Sequence, residues 1–291
     1  MPLTTVQKIS IARKLSRCII GLRGLLALPS VVEVTRMGMR WKLDLKEGID
    51  LSIYLMGGFE LKAIKALSRI VKPGMTVLDI GANIGAYALP LAGMVGDTGK
   101  VIAVEPTEWA FSKLKVNLAL NPKIEGRVIP QQMMLLGSSD ASLVASQCSS
   151  WPLIEDSTGG KDLHPVTLGR AMSTQGAKAM TVDDLLQLMG VPKVDVIKLD
   201  VDGSELEVLR GARGFLRSVD NKQIRILMEL DPSLYNENED EMGQMLGLLQ
   251  SYGFVLNSID TGALLPMTTK GITDILPYGA SMNVIASRKD T

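Results

Sequence analysis

The sequence predicts an α/β fold in which a mostly parallel sheet carries helices on both faces. Beyond Val71, short apolar segments alternate with longer segments of helical periodicity, as expected of successive strand–helix units. The apolar segments are nearly continuous, which is typical of strands buried on both sides. The chain has 291 residues, of which 46% are apolar, so it can bury a large core.

Residues 1–70 are predicted to form a cap beside the cleft of this sheet. The spacing of apolar residues predicts a helix over residues 4–28. Alternating polar and apolar residues around a glycine predict a β-hairpin over residues 31–44. Two short helices, at residues 49–55 and 60–70, complete the cap.

Residues 71–291 are predicted to form the sheet domain. Residues 137–180 interrupt it as an excursion that is too polar and too short for a core of its own, with one hairpin at most. Long excursions beside a cleft often carry substrate contacts. The predicted strands occupy residues 76–79, 101–104, 127–135, 194–199, 224–230, 253–258 and 282–286, and the predicted helices occupy residues 84–95, 108–120, 204–217 and 238–252.

Composition restricts the classes of function. The 31 basic and 31 acidic residues balance, which gives no electrostatic support for nucleic acid as a partner. Cys18 and Cys148 form no disulfide framework, which favours a reducing compartment such as the cytoplasm. With His164 as the only histidine and no closely paired cysteines, a metal site of histidine and cysteine ligands is not expected.

Two interpretations of the N-terminal helix stay open. Residues 4–28 mix basic and apolar positions, so the helix could pack on the domain or a partner subunit, or lie on an anionic membrane. No uncharged run approaches the ~20 residues that span a bilayer. Arg23 interrupts the apolar run that a signal peptide would need. Any membrane association is therefore expected to be peripheral.

The stretch from Met75 to Gly85 carries the first candidate site. It reads as a strand that ends in an acid, then a turn with glycines, then a helix predicted to begin near Ile84. Gly81 and Gly85 allow a ligand to approach the backbone closely. The helix would point its free N–H groups at the turn. This arrangement predicts a nucleotide-type binding site.

Asp79 indicates which nucleotide the turn would bind. Dinucleotide folds lay a pyrophosphate on a G-x-G-x-x-G turn, whereas this chain has the shorter G-A-N-I-G, with Asp79 two positions before it. A carboxylate at that position would repel a pyrophosphate and suit an ammonium group. S-adenosylmethionine (SAM) carries an ammonium, a sulfonium and no phosphate. A purely structural turn with a capping aspartate is the alternative.

Glu105 supports a nucleoside ligand. It ends the second predicted strand, and a carboxylate at that point can accept two hydrogen bonds from ribose hydroxyls. Pro106 fixes the backbone directly after it. NAD sites use the same device, so Glu105 by itself does not distinguish SAM from NAD.

A second cluster of acids follows the fourth predicted strand, in the segment D-V-D-G-S-E. If the first and fourth strands are neighbours, Asp79 and Asp200 face one crevice. Lys198 lies two residues before Asp200, so both side chains leave the strand on one face. A lysine in such an apolar strand needs an acid nearby. Glu229, at the end of the fifth strand, is the predicted partner.

Five motifs occur in order: V-L-D-I-G-A-N-I-G, A-V-E-P, T-V-D-D-L-L, V-I-K-L-D-V-D-G-S-E-L-E-V-L-R-G-A and L-M-E-L-D. With them the chain resembles the FkbM family of SAM-dependent methyltransferases, from about Gly38 to the last strand. The family more often has D-V-E-G where this chain has Asp202, so a direct role of Asp202 is in question. The N-terminal helix and residues 137–180 match least.

The resemblance implies a Rossmann-like class I SAM-dependent methyltransferase fold. Its seven-stranded sheet would be mostly parallel with an antiparallel last strand, and the N-terminal helix and β-hairpin cap would be additions. The family is usually associated with O-methylation, often of a sugar or another hydroxyl on a small molecule or glycan. The residues expected to bind SAM are Asp79, Gly81, Ala82, Asn83, Gly85, Glu105 and Pro106.

An alcohol must lose its proton as it attacks a methyl group, so a base near the acceptor is expected. Our hypothesis gives that role, or the orientation of the substrate, to Asp200, with Lys198 and Glu229 as its partners. A carboxylate pair could instead hold Mg²⁺ beside a vicinal diol, although acids at strand ends usually serve hydrogen bonding. His164 on the excursion could be a base or a solvated surface residue.

Two other functions compete with this hypothesis: an NAD(P)-dependent Rossmann oxidoreductase, and a non-catalytic SAM-fold protein that binds a partner. The acid at Asp79 speaks against the first, and the presence of both acidic sites speaks against the second. The acceptor has no recognisable signature in the sequence, and the oligomeric state stays open.

Overall fold

The computed structural model of the chain describes residues 4–154, 163–164, 167–218, 221–235 and 240–288. Elements are numbered in chain order. The cap has the predicted composition, with one long helix, a hairpin of two strands and two short helices. They are Thr5–Leu25 (α1), Val31–Arg36 (β1), Met39–Asp44 (β2), Gly48–Met56 (α2) and Leu61–Ile70 (α3).

Eight strands form the central sheet within the described residues. All seven predicted strands have a counterpart in this sheet, and the eighth is a two-residue edge strand. They are Thr76–Ile80 (β3), Lys100–Val104 (β4), Val128–Gln131 (β5), Val196–Leu199 (β10), Arg225–Leu230 (β11), Phe254–Ser258 (β12), Leu264–Leu265 (β13) and Met282–Arg288 (β14).

The strand order places the two acidic segments side by side. From edge to edge it is β13-β12-β14-β11-β10-β3-β4-β5, so β10 lies next to β3. The two strands run parallel with Lys198 opposite Asp79. The last strand, β14, runs antiparallel to both β11 and β12, which confirms that prediction. The order reverses between β3 and β10, where open α/β sheets form ligand crevices.

Each face of the sheet is covered by its own apolar cluster. One contains Leu78, Ile197 and residues of the helices that begin at Val182 and Glu205. The other contains Val77 and Val196 and joins them to the cap, so the cap and the sheet share one core. The helices after the cap are Ala88–Val95 (α4), Glu108–Ala119 (α5), Pro122–Glu125 (α6), Val182–Leu188 (α7), Glu205–Arg210 (α8), Arg213–Arg217 (α9), Glu241–Ser251 (α10) and Thr269–Ile275 (α11).

The helix predicted over residues 204–217 is divided into α8 and α9. Gly211 lies at the break, and a Cβ there would come within 2.1 Å of the Leu136 carbonyl oxygen. Its own carbonyl accepts a hydrogen bond of 3.0 Å from the Asp183 N–H, at the start of α7. The break therefore lets α7 and the Leu136 segment pack against this turn.

The excursion contains the predicted hairpin. Ser146–Ser150 (β7) pairs antiparallel with Arg170–Ser173 (β8). The strand predicted over residues 127–135 is divided, because after β5 the chain leaves the sheet as Met133–Leu135 (β6). That strand pairs in parallel with Lys178–Met180 (β9).

Backbone hydrogen bonds fasten the excursion to the cap. The Gly48 N–H donates to the Trp151 carbonyl at 2.9 Å, and the Leu153 N–H donates to the Lys46 carbonyl at 2.8 Å. Within the described ranges, none of the helices combines the length and apolar character needed to cross a membrane.

Candidate active site

A cavity of about 440 Å³ lies at the carboxyl ends of the parallel strands. Its sheet side is formed by residues that follow β3, β4, β10 and β11. The cap and the excursion form the rest, which agrees with their predicted place beside the cleft. Their lining residues are Thr5, Lys8, Ile9, Ala12, Gly48, Ile49, Ser52, Met56, Phe59, Glu60, Gln147, Cys148, Trp151, Leu153 and Thr167.

The turn after β3 binds to its protein neighbours through its own backbone. The N–H groups of Gly81 and Ala82 both donate to the Val104 carbonyl, at 3.0 and 2.9 Å. The Asn83 N–H donates to Glu105 Oε2 at 3.0 Å. The helix α4 begins only at Ala88, four residues later than predicted. The prediction that a helix end points free N–H groups into the turn is therefore wrong for these residues.

Left-handed backbone explains the late start of α4. Asn83 has φ +48° and Gly85 has φ +93°, both outside the right-handed helical region. Asn83 compensates through its side chain, whose amide donates to the Ser149 carbonyl at 2.8 Å. Its Oδ1 accepts from the Ile84 N–H at 2.9 Å. The turn is thus held between β4 and the excursion strand β7.

Gly81 is required by the protein itself. Its φ is +80°, and a Cβ on it would lie 1.8 Å from the carbonyl oxygen of Asp200. The ends of β3 and β10 touch at this point, so the glycine permits strand packing rather than the close approach of a ligand. Ala82, Asn83 and Pro106 line the cavity together with Gly81, whereas Gly85 lies behind this wall.

Glu105 lies in the cavity wall with both oxygens already in use. Oε2 accepts the Asn83 N–H, and Oε1 accepts the N–H and the hydroxyl of Thr107, at 3.0 and 2.5 Å. A carboxylate has about four lone-pair positions, so ribose hydroxyls can still be accepted. Burial raises the pKa of Glu105, while the hydrogen bonds from Thr107 and Asn83 lower it.

Asp79 lies behind the cavity wall. Its side chain is 0% exposed and is absent from the cavity lining. Burial raises its pKa to about 6, against the opposing effect of the Lys198 ammonium group. Direct contact between Asp79 and the ammonium of a ligand, as the sequence predicted, does not fit this position, because Asp79 ends a fully buried strand beneath the turn.

Lys198 connects the two acidic segments. Its ammonium lies 3.1 Å from Asp200 Oδ2 and 3.8 Å from Asp79 Oδ1, and it donates to the Gly81 carbonyl at 2.9 Å. Burial alone would lower the pKa of Lys198, but Asp200 and Asp79 raise it above the usual value. The prediction that Glu229 is the acid paired with Lys198 is wrong, because the two strand-end aspartates on β3 and β10 are nearer.

Glu229, near the end of β11, also lines the cavity. Its side chain is hydrogen-bonded to Ser281. Its pKa is raised well above the ordinary value, first by burial and then by the charges of Asp200 and Glu60. Carboxyl groups whose pKa is raised by burial and by neighbouring charges are common in functional sites.

Glu60 and Tyr87 belong to the site although the sequence did not indicate them. The Tyr87 hydroxyl donates to Glu60 Oε2. The Tyr87 ring lies 5.1 Å from the Lys198 ammonium, a cation–π distance. Burial, and then the charge of Asp200, raises the pKa of Glu60. In the structure Glu60 has φ +44°, a left-handed backbone that the sequence does not reveal.

The loop after β10 is shaped by a buried glutamate. Glu205 accepts the Val201 N–H at 3.0 Å and the hydroxyl of Tyr235 at 2.9 Å. This clamp holds Asp202 in a left-handed conformation, φ +50°, with its carboxylate in the cavity lining. Burial and the nearby Asp200 raise the pKa of Asp202 well above its ordinary value.

His164 is not among the residues that line the cavity. Its Nδ1 accepts a hydrogen bond of 3.3 Å from the Thr167 N–H, and its backbone bonds to Gly169 and Leu168. Its described contacts are therefore with neighbouring residues of the excursion.

The charge of the cavity restricts its ligands. Six carboxylate side chains line it among the described residues, against the two lysines Lys8 and Lys198. Lys198 is already engaged by aspartates, so the site offers a pyrophosphate little compensation. These carboxylates are hydrogen-bond acceptors, so the cavity fits a cationic ligand with hydroxyl groups. No three acidic, histidine or cysteine side chains of the described ranges converge as metal ligands.

Comparison with known proteins agrees with this chemistry. A family model described as the methyltransferase FkbM domain matches residues 79–256. The hexuronic acid methyltransferase AglP of Haloferax volcanii is 30% identical over 210 residues, which are 72% of this chain and 79% of that protein. The methyltransferase sdnD of Sordaria araneosa is 28% identical over 156 residues, 46% of this chain and 59% of that protein.

Solved structures with a similar arrangement are more distant in sequence. A SAM-dependent O-methyltransferase from Thermotoga maritima has a TM-score of 0.41 and 14% identity, and the match covers 92% of this chain and 81% of that one.

Proposed function

The chain belongs to the FkbM-domain methyltransferase family and is a SAM-dependent methyltransferase, and we propose that it methylates a hydroxyl oxygen of a sugar, glycan or other small molecule. The observation that carries the proposal is the Lys198–Asp200 ion pair in an acid-lined cavity. It provides a carboxylate, held by a lysine, beside the space in which two ligands can meet.

The residues around the cavity fit SAM. We propose that Glu105 takes the ribose hydroxyls, that Pro106 and Trp151 contribute apolar surface to the adenine, and that the backbone of Gly81–Asn83 shapes the site between them. Asp79 acts indirectly, through Lys198 and the turn. When bound, SAM supplies a methyl group on a positively charged sulfur, which an oxygen nucleophile displaces. The surplus of carboxylates suits that charge.

Asp200 is the proposed base. It takes the proton of the acceptor hydroxyl as the oxygen attacks, and Lys198 holds its carboxylate at 3.1 Å. The proton stays on Asp200 until the product leaves, and Glu229 adds a second carboxyl group whose pKa is raised by burial and by the charge of Asp200. Alignment of the two reactants between cap and sheet supplies the remaining rate enhancement.

The acceptor class follows from charge and from the AglP comparison. A hexuronic acid offers both hydroxyl and carboxylate oxygens. We propose that this enzyme uses a hydroxyl, because the cavity's carboxylates repel an anionic oxygen and Asp200 is available as a base. Because Lys198 already compensates the charge of Asp200, we also propose that the reaction does not need Mg²⁺. The unpaired Cys18 and Cys148 suit a reducing compartment such as the cytoplasm.

Methyl transfer from labelled SAM to neutral sugars, amino alcohols and hexuronic acids tests the proposal, with and without a metal chelator. We expect a product label that survives alkali, as a methyl ether does, and no effect of the chelator. We expect Asp200→Asn to lower the rate about 100-fold or more while SAM binding by calorimetry is retained. Asp274→Asn, at an exposed position outside the cavity, is the matched control.

Three results would contradict parts of the proposal. An alkali-labile label on a hexuronic acid would show a methyl ester and a carboxylate acceptor. An Asp200→Asn variant as active as the Asp274→Asn control would remove Asp200 as the base. Loss of transfer in the chelator, restored by Mg²⁺, would make the reaction metal-dependent.

A further inference from the structure

The long helix α1 has two apolar stripes, and only one of them packs on the protein. On the packed side, Ile9 and Ser16 are buried, and the Ser16 hydroxyl donates to the Leu45 carbonyl at 2.8 Å. Ala12 and Ile19 pack against the same core cluster. These contacts fix how the helix is rotated on the cap.

The second stripe faces away from the protein. Ile11, Leu15, Leu22 and Leu25 follow one another at spacings of four, seven and three residues, so they lie along one side of the helix. All four are exposed, Leu22 at 64% and Leu25 at 84%. An apolar stripe of this length on a helix surface marks an interaction site.

The charge of α1 identifies its partner. The helix carries five basic residues and no acidic residue, although the whole chain is balanced in charge. Lys14 and Arg17 are exposed beside the apolar stripe. A second copy of the helix would set like charges against each other. An anionic surface into which apolar side chains can sink satisfies both features, as the cytoplasmic face of a lipid bilayer does.

We propose that α1 is a peripheral membrane anchor that lies on anionic lipid with its Ile11–Leu25 stripe inserted among the acyl chains. The helix is also a wall of the cavity, which it lines with Thr5, Lys8, Ile9 and Ala12. An anchored α1 would therefore hold the cavity at the membrane surface. This inference concerns binding alone and does not depend on the acceptor.

Flotation of the 291-residue chain with lipid vesicles tests the anchor, in the absence of SAM and acceptor. We expect binding to phosphatidylcholine vesicles that contain about 30% phosphatidylglycerol, and weak binding to phosphatidylcholine alone. Salt at roughly 0.5 M should weaken binding strongly. Lys14→Glu with Arg17→Glu should weaken it about tenfold or more.

The apolar stripe is tested by Leu15→Glu with Leu22→Glu, which should lower vesicle binding about tenfold or more. Leu188→Glu with Leu264→Glu is the matched control, because these leucines are 71% and 66% exposed on α7 and β13. Circular dichroism confirms that each variant is folded, and methyl transfer to a water-soluble acceptor should be unchanged in the stripe variant.

The proposal is overturned if the folded protein does not bind anionic vesicles at low salt, or if the stripe and control variants bind equally. It is also overturned if light scattering shows a dimer that only the stripe substitutions dissociate, since the stripe would then be a protein interface. Each of these results leaves the methyltransferase assignment untouched.

Discussion

Lys198 compensates the negative charges of two acidic side chains in the interior of the protein. It lies between two aspartates at the ends of adjacent strands, and it also binds the carbonyl of Gly81. An unpaired buried charge is far more costly than a paired one. Asp79 behind the cavity wall and Asp200 in its lining can therefore lie close together only because this lysine stands between them, which joins the stability of the site to its chemistry.

Glu47 gives a pH-dependent stability that can be measured at a single residue. Burial raises its pKa from 4.5 to about 7, even though its Oε2 accepts hydrogen bonds from Ser150 and Trp151. The folded protein then holds a proton that the unfolded chain releases above pH 4.5. The free energy of unfolding should fall as the pH rises from 4.5 to about 7.

The prediction is that Glu47→Gln removes this contribution, because the amide oxygen can still accept both hydrogen bonds and carries no charge to desolvate. Urea unfolding at both ends of the interval should show the variant gaining on the order of 2 kcal/mol over the wild type toward neutral pH. A difference between variant and wild type that does not change with pH would contradict it.

The site residues differ in how far the sequence could reveal them. Glu105 and Asp200 each follow an apolar strand, so the sequence could place each of them at the carboxyl end of a strand, and both line the cavity. The pairing of Lys198 required the strand order and the register, and Glu229 was chosen wrongly because both were unknown. Glu60 comes from the cap, far away in the chain, and its bond to Tyr87 has no local pattern.

At the scale of elements, the buried strands were predictable because burial on both faces imposes continuous apolar runs. The strands β7, β8 and β9 have only three to five residues each, and β7 is almost entirely polar, so composition alone could not locate their bounds. The late start of α4 came from the left-handed residues of its turn. The contacts of Asn83 with Glu105 and Ser149, which are distant in sequence, explain why the turn keeps this conformation.

Two glycine-to-alanine substitutions should change the free energy of unfolding in opposite directions, because one glycine follows a strand and the other lies inside a helix. Gly81→Ala places a Cβ 1.8 Å from the Asp200 carbonyl at φ +80°, so the ends of β3 and β10 must separate. We expect the free energy of unfolding to fall by more than about 2 kcal/mol. Methyl transfer should fall as well, because the displaced strand end carries Asp200.

Gly247→Ala, inside α10, is the matched control. A Cβ there meets no atom within 4 Å, and alanine favours the helix. The variant should gain about 0.5–1 kcal/mol with activity unchanged. Denaturant unfolding measures the change in stability, and methyl transfer from labelled SAM measures the activity. Equal stability of the two variants would contradict the close contact between β3 and β10.

At the scale of the whole molecule, the cap and the sheet are expected to unfold together. The sequence suggested a cap of residues 1–70 beside a separate sheet domain. In the structure, buried Trp41 and Leu43 of β2 belong to the same apolar cluster as Val77 and Val196 of the sheet. Separating the two parts would expose that shared core, and its apolar area makes partial unfolding unfavourable.

Trp41 can report on the cap alone once Trp109 and Trp151 are replaced by phenylalanine, since the chain has three tryptophans. Trp41 is 2% exposed, so its fluorescence should change when the cap opens. We expect its thermal midpoint to coincide with that of far-ultraviolet circular dichroism, which follows the whole chain. An earlier fluorescence transition would mean that the cap detaches first, and that the cavity between cap and sheet can open by a hinge.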